Sequence, residues 1–98
     1  EIFAPCLSIL PFSDLGEAIA HANNTPFGLS AGIFTADVSR AMTAARSLRF
    51  GSIHINETSS SRADGMPFGG VKDSGFGHEG PKYAIREVTE ERLVTFNS

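Results

Sequence analysis

The side chains that could do chemistry in this sequence include a single cysteine and three histidines. Cys6 opens a short apolar run, which favours a core position, and no basic or histidine residue stands near it in the sequence to activate it as a nucleophile. His54 alternates with Ile53 and Ile55, which favours a surface or interface position over a catalytic one. No spacing of histidine and cysteine is typical of a metal site. These residues therefore predict neither a nucleophile nor a metal centre.

A glycine-rich run at 67–77 reads PFGGVKDSGFG, and GFGHEG at 75–80 fits the dinucleotide pattern G-x-G-x-x-G. That pattern binds a pyrophosphate only where a strand leads into it and a helix begins within it. Here a loop precedes the glycines, so tight turns and close backbone approach are the better interpretation.

Arg62 lies in a polar, serine-rich loop over 57–66. A guanidinium in this setting can recognise a carboxylate or a phosphate through paired hydrogen bonds. The alternative is an exposed arginine that pairs with Asp64. If Arg62 does bind a ligand, the ligand is expected to be short and to carry an anionic or hydroxylated group.

The elements that must position these residues alternate between strands and helices. Short apolar or alternating runs predict strands over 6–10, 30–35 and 52–56. Helical periodicity begins at Leu15, with Asp14 and Glu17 as a capping pair, and Pro26 ends it. A second apolar stripe predicts a helix over 38–48. Short links between these elements predict an α/β fold, with a parallel sheet of βαβαβ units and flanking helices.

The rest of the chain does not continue this alternation of strands and helices. After the glycine-rich loop, Pro81 is well placed to begin a short helix that runs to about Arg86. Residues 92–96 alternate as a terminal strand. The chain is therefore divided into a main part over 1–86 and a terminal strand segment over 87–98.

Composition excludes several classes of protein. The net charge is -3 and apolar residues make up 41% of the chain, so nothing attracts it generally to nucleic acid or to an anionic membrane. No apolar run is long enough for a membrane span. One cysteine suits a reducing compartment, and the cytoplasm is the expected location.

Four stretches, in order along the chain, resemble motifs of the aldehyde dehydrogenase superfamily. Residues 1–5 (EIFAP) are similar to its E-I-F-G-P motif, with Ala4 in place of glycine. Residues 22–35 are similar to its A-N-x-T-x-Y-G-L-S-A-x-x-F-T segment, with Phe27 in place of tyrosine. Residues 55–56 and 67–75 resemble its closing I-N and P-F-G-G-x-K-x-S-G signatures.

This resemblance implies oxidation of an aldehyde to a carboxylic acid with NAD or NADP, through a cysteine thiohemiacetal and a thioester. It implies that Glu1 binds the ribose hydroxyls of the cofactor and that Phe3 packs beside the nicotinamide. It places Arg62 and Phe68 at the aldehyde tunnel. It also implies that the terminal strand pairs with another subunit, in a homo-oligomeric dimer or tetramer.

In the family, the nucleophilic cysteine, the general-base glutamate and the Rossmann domain all precede the first motif. Cys6 follows that motif, so no catalytic residue is assigned to this chain. Because the sequence opens without Met inside a motif, we expect it to be part of a longer enzyme and inert alone. The alternative is a non-catalytic interaction module that adds its terminal strand to a partner's sheet. Relatives that transfer the acyl group to CoA share the fold, and the sequence leaves them open.

Overall fold

The computed structural model describes residues 2–98. Residues 2–98 form three helices and four short strands, and the long connection among them is the loop between residues 55 and 71. In chain order they are α1 (Leu15–Asn23), β1 (Phe27–Gly28), β2 (Ser30–Ile33), α2 (Val38–Ser47), β3 (Ser52–Ile55), β4 (Val71–Lys72) and α3 (Pro81–Glu87).

Strands β2 and β3 form a parallel pair joined through α2. Ser30 lies opposite Ser52, and Ile33 lies opposite Ile55. Helix α2 begins where Asp37 caps it, because the Asp37 carboxylate accepts hydrogen bonds from the first free N–H groups of the helix. The predicted parallel βαβ unit is thus confirmed for this part of the chain.

Helix α1 begins and ends on identifiable side chains. Asp14 accepts a hydrogen bond from the Glu17 N–H at 2.9 Å, which confirms the predicted capping pair. At the other end the Asn23 amide donates to the Ser47 carbonyl and accepts from the Arg49 N–H, both at 2.8 Å. One side chain therefore joins the C-terminal ends of α1 and α2, which pack against each other.

The strand predicted over 6–10 is wrong, whereas the terminal strand predicted over 92–96, which is expected to pair with another subunit, stays a prediction. Neither 6–10 nor 92–96 adopts strand structure, and both segments are exposed along their whole length. A strand needs a neighbour to take up its N–H and C=O groups, and neither segment has one within residues 2–98. The parallel sheet consequently has two strands, and the βαβαβ prediction reduces to a single βαβ unit.

A second sheet was not predicted. β1 and β4 pair in antiparallel fashion, with Phe27 opposite Lys72 and Gly28 opposite Val71. This pairing carries the glycine-rich run back to the turn that follows α1. The run was interpreted as turns alone, because two-residue strands leave no periodic pattern in a sequence.

Little of the apolar surface is buried. Among residues 2–98 the buried apolar side chains are Ala41 and Ala44, whereas Leu93 and Phe96 are 89% and 93% exposed. The radius of gyration is 18.0 Å, against about 13 Å for a compact chain of this length. Exposed apolar surface of this extent is typical of a face that packs against further protein. No helix in this part of the chain combines the length and the hydropathy that a membrane span requires.

Candidate functional site

A cavity of about 440 Å³ lies between the serine-rich loop, the β2–β3 sheet and the start of the glycine-rich run. Its lining includes Ser52 and His54 from β3, Arg62 and Met66 from the loop, and Phe68 from the run. These residues come together because the first residues of β2 and β3, Ser30 and Ser52, lie opposite each other and the serine-rich loop returns to them, where the Ser30 hydroxyl donates to the Ser59 carbonyl. This volume suits a small ligand.

Arg62 and Phe68, both predicted as tunnel residues, are in contact in this cavity. The guanidinium carbon of Arg62 lies 4.4 Å from the centroid of the Phe68 ring. Its Nη2 lies 3.8 Å from Oε2 of Glu79. The carboxylate partner within ion-pair distance is therefore Glu79 rather than Asp64, which corrects the alternative weighed from the sequence.

Phe68 is held by its own backbone. Its N–H donates to the Glu79 carbonyl at 3.1 Å, and the Glu79 N–H donates to the Phe68 carbonyl at 2.6 Å. Between them the chain doubles back through glycines, and a Cβ on Gly69 would overlap the carbonyl oxygen of Gly77. The glycines thus allow a close backbone approach, as the turn interpretation requires.

Lys72 and Ser74 fasten the glycine-rich run to the turn after α1. The Lys72 ammonium donates to the main-chain carbonyls of Asn23, Thr25 and Phe27 at 3.1–3.2 Å. The Ser74 hydroxyl accepts from the Gly28 N–H at 2.8 Å. Lys72 and Ser74 therefore hold the glycine-rich run against this turn, and the run contributes Pro67 and Phe68 as one wall of the cavity, the glycine-rich wall. Sequence reasoning missed this role, although a lone lysine among small turn residues is a signal that carbonyl partners lie nearby.

His54 lines the same cavity and is half-buried, where the alternation with isoleucines had favoured a surface or interface position. The alternation placed it on the face opposite to Ile53 and Ile55, but that face turns out to be covered by the serine-rich loop. A loop of this kind leaves no periodic signal, so the sequence could not show what it covers.

Phe3 and Cys6 do not line this cavity. Glu1 lies outside the described residues. Phe3 is 90% exposed, on a segment without helix or strand, and Cys6 is a free, exposed cysteine. Within residues 2–98 no three or more His, Cys, Asp or Glu side chains gather in a way that would hold a metal ion.

The βαβ unit, with a glycine-rich wall beside a cavity, places the chain in the α/β class of folds. The sequence profile of the aldehyde dehydrogenase family matches residues 1–94, and the chain belongs to this family.

The chain is also similar to individual members of the family. The chain is 47% identical, over 97 residues, to the 3-sulfolactaldehyde dehydrogenase of Priestia aryabhattai; the match covers 99% of this chain and 20% of that protein. The chain thus spans about a fifth of the length of the curated relatives it matches.

Solved structures agree with this assignment. The P. syringae AldA indole-3-acetaldehyde dehydrogenase in complex with NAD+ and IAA superposes with a TM-score of 0.86 at 44% identity, over 92% of this chain and 18% of that one. The glyceraldehyde-3-phosphate dehydrogenase GapN of Methanocaldococcus jannaschii, complexed with NADP, gives 0.74 at 48% identity, over 76% of this chain and 16% of that one.

Proposed function

We propose that this chain forms the aldehyde-binding wall and the oligomerisation arm of an NAD(P)-dependent aldehyde dehydrogenase. The enzyme oxidises an aldehyde to a carboxylic acid through a cysteine thiohemiacetal and a thioester. The nucleophile, the general base and the Rossmann domain lie outside this chain. The observation that carries the proposal is the meeting of Arg62 and Phe68 in one cavity.

The cofactor contacts proposed for this chain are at its beginning. The Phe3 ring, 90% exposed, offers a flat apolar face that fits a planar ring. Glu1 carries a carboxylate, which can accept hydrogen bonds from two hydroxyls. Bound NAD or NADP supplies the hydride acceptor, while these residues orient it. Two related structures, which hold NAD+ and NADP, support this class of cofactor.

The substrate proposed is a short aldehyde. The name of the sulfolactaldehyde relative describes a small aldehyde with a charged group and a hydroxyl. Arg62 and the serines of the loop provide matching donors in this chain. We propose a cytoplasmic homo-oligomer, a dimer or a tetramer, in which 87–98 pairs with another subunit. The exposed apolar side chains after α3 support this role for the segment.

Aldehyde oxidation is tested on the complete protein that carries this segment. With NAD or NADP and a short aldehyde, we expect reduced cofactor and a carboxylic acid in equal amounts. Product analysis in the presence of CoA separates the hydrolytic reaction from acyl transfer. A protein that reduces neither cofactor with any of a panel of aldehydes would contradict the proposal.

The wall is tested by a matched pair of substitutions. Phe68→Ala removes a ring that lines the cavity, so we expect it to raise KM for aldehydes more than it lowers kcat. Phe76→Ala removes a ring of the same run that is fully exposed, and KM should stay unchanged.

The second candidate function is a non-catalytic interaction module. The exposed Val88, Leu93, Val94 and Phe96 favour it, because an apolar segment without a neighbour is open to pairing with a partner's sheet. Deletion of 88–98 separates the two proposals. In the enzyme it changes the oligomeric state, whereas in an interaction module it removes partner binding from a protein that has no aldehyde oxidation.

A further inference from the structure

We infer that Arg62 recognises an anionic group on the aldehyde, with Phe68 and Glu79 as the residues that position its guanidinium. This inference rests on the proposed function and deepens it, because it names the chemical class of the substrate.

The guanidinium is supported from two sides. The Phe68 ring lies beneath it at 4.4 Å, within the range of a cation–π contact. The Glu79 carboxylate approaches its Nη2 at 3.8 Å. Phe68 and Glu79 are joined by two backbone hydrogen bonds, which hold the two supports side by side. An exposed ion pair adds little to stability, so the effect expected from Glu79 is on orientation.

The donors of Arg62 remain available to a ligand. A guanidinium carries five N–H donors in a planar fork. The contact with Glu79 is longer than a hydrogen bond, and the hydrogen bonds formed among residues 2–98 include none from this guanidinium. A carboxylate or sulfonate can therefore be bound through two parallel hydrogen bonds.

The charge of the cavity favours the same ligand. Its lining contains Arg62 and no aspartate or glutamate. The hydroxyl of Ser30 is already engaged, because it donates to the Ser59 carbonyl at 2.6 Å. The Ser60 hydroxyl is shared with that of Thr58, whereas the hydroxyls of Ser52 and Ser61 can bind a substrate hydroxyl. An uncharged aldehyde would leave the guanidinium without a partner inside the cavity.

The test compares two substrates of equal length on the complete protein: a four-carbon aldehyde with a terminal carboxylate, and butanal. Arg62→Met is expected to lower the preference in kcat/KM for the charged substrate by about 10- to 100-fold, the loss of a charge-assisted hydrogen bond. Turnover of butanal should fall by a much smaller factor, because butanal has no anionic group for the guanidinium to bind. Arg46→Met, at an exposed position of α2, is the matched control and should leave the preference intact.

The role of Glu79 in positioning the guanidinium is tested separately, through KM for the charged aldehyde. Glu79→Gln is expected to raise KM for the charged aldehyde several-fold and to change kcat little, while Asp73→Asn, at an exposed position that does not line the cavity, is the neutral control. Raising NaCl from about 0.05 to about 0.5 M should raise KM for the charged aldehyde only, and Arg62→Met should abolish this dependence. A residue with a merely structural role would affect both substrates alike.

The possible outcomes distinguish a failure of the anion site at Arg62 from a failure of the proposed aldehyde oxidation. If butanal and its charged analogue are oxidised equally well, or if Arg62→Met affects both equally, the inference is wrong and aldehyde oxidation stands. If no aldehyde is oxidised, the proposed function fails, and calorimetric titration with succinate still tests the anion site. Succinate that binds the wild type no better than Arg62→Met overturns it.

Discussion

The Lys72 ammonium lies 3.1 Å from the main-chain carbonyl oxygen of Thr25, and it also reaches the carbonyls of Asn23 and Phe27. Three donors meet three acceptors at the point where α1 ends, so carbonyls that the helix and turn leave free are satisfied by one side chain. The Phe50 ring lies 5.6 Å from the same ammonium. This contact sets the glycine-rich wall against the rest of the chain.

Replacing Lys72 with Met is expected to destabilise the protein by about 1–3 kcal/mol, because the charged donor is lost and half-buried carbonyls stay unpaired. Thermal unfolding or the half-life of inactivation measures the loss. The matched substitution Lys82→Met, at an exposed position of α3, should have little effect. Equal stability of the two variants would contradict the role of Lys72 as a clamp.

Gly51→Ala is expected to destabilise by at least about 1–3 kcal/mol, as overpacking does. A Cβ at this position would overlap the Gly69 carbonyl oxygen, and backbone meets backbone there, so neither side can yield by a rotamer change. Gly65→Ala is the control, since a Cβ at Gly65 meets nothing within 4 Å. Thermal denaturation of the two variants side by side is the measurement, and a Gly51→Ala variant as stable as Gly65→Ala would show that the segments are not packed this closely.

The start of α1 should weaken in acid. The Ser13 N–H donates to the Glu17 carboxylate at 2.7 Å, and His21 lies 3.6 Å away, which lowers the pKa of Glu17 below its usual 4.5. A lowered pKa stabilises the folded state above the unfolded value, and this stabilisation is lost as the pH falls through the folded value.

A Glu17→Gln variant should therefore be less stable than the wild type at neutral pH, with a difference that shrinks as the pH falls below about 4.5. Denaturant titrations of the complete protein at a series of pH values measure it. Carbon-13 NMR of the labelled carboxyl group gives the pKa directly, and a value at or above the ordinary one would contradict the contact.

The isolated 98-residue chain should oxidise no aldehyde, and it should lack a cooperative thermal transition, since its buried apolar core is limited to two alanines among residues 2–98. Its uncovered apolar segments should also make it self-associate. Calorimetry, size-exclusion with light scattering and a cofactor-reduction assay test these points. A clean, cooperatively folded monomer would contradict them.

Much of the fold between residues 14 and 55 could be predicted from local sequence patterns. The stretch from Ser30 to Ile55 has a strand, a capped helix and a strand of matching apolar period, and the structure forms a parallel βαβ unit there. Asp14 and Glu17 stand three positions apart, which is enough to indicate a cap. Each of these features depends on neighbours within one turn or one strand.

Structural features that depend on residues far apart in the sequence could not be predicted from local patterns. A short apolar run predicted a strand over 6–10, but such a run cannot supply the neighbouring strand that the backbone requires. The β1–β4 pairing joins residues 27–28 to 71–72, and two-residue strands have no period to detect.

The sequence by itself determined the family motifs, the βαβ unit and the presence of an arginine in a polar loop, because these follow from residue type and short spacing. Only the tertiary structure decided that Arg62 meets Phe68 and Glu79 rather than Asp64, and that Lys72 holds the turn after α1 across 45–49 positions. The physical reason is that such contacts are made when the chain folds back on itself, and the partners then depend on backbone paths that no local pattern encodes.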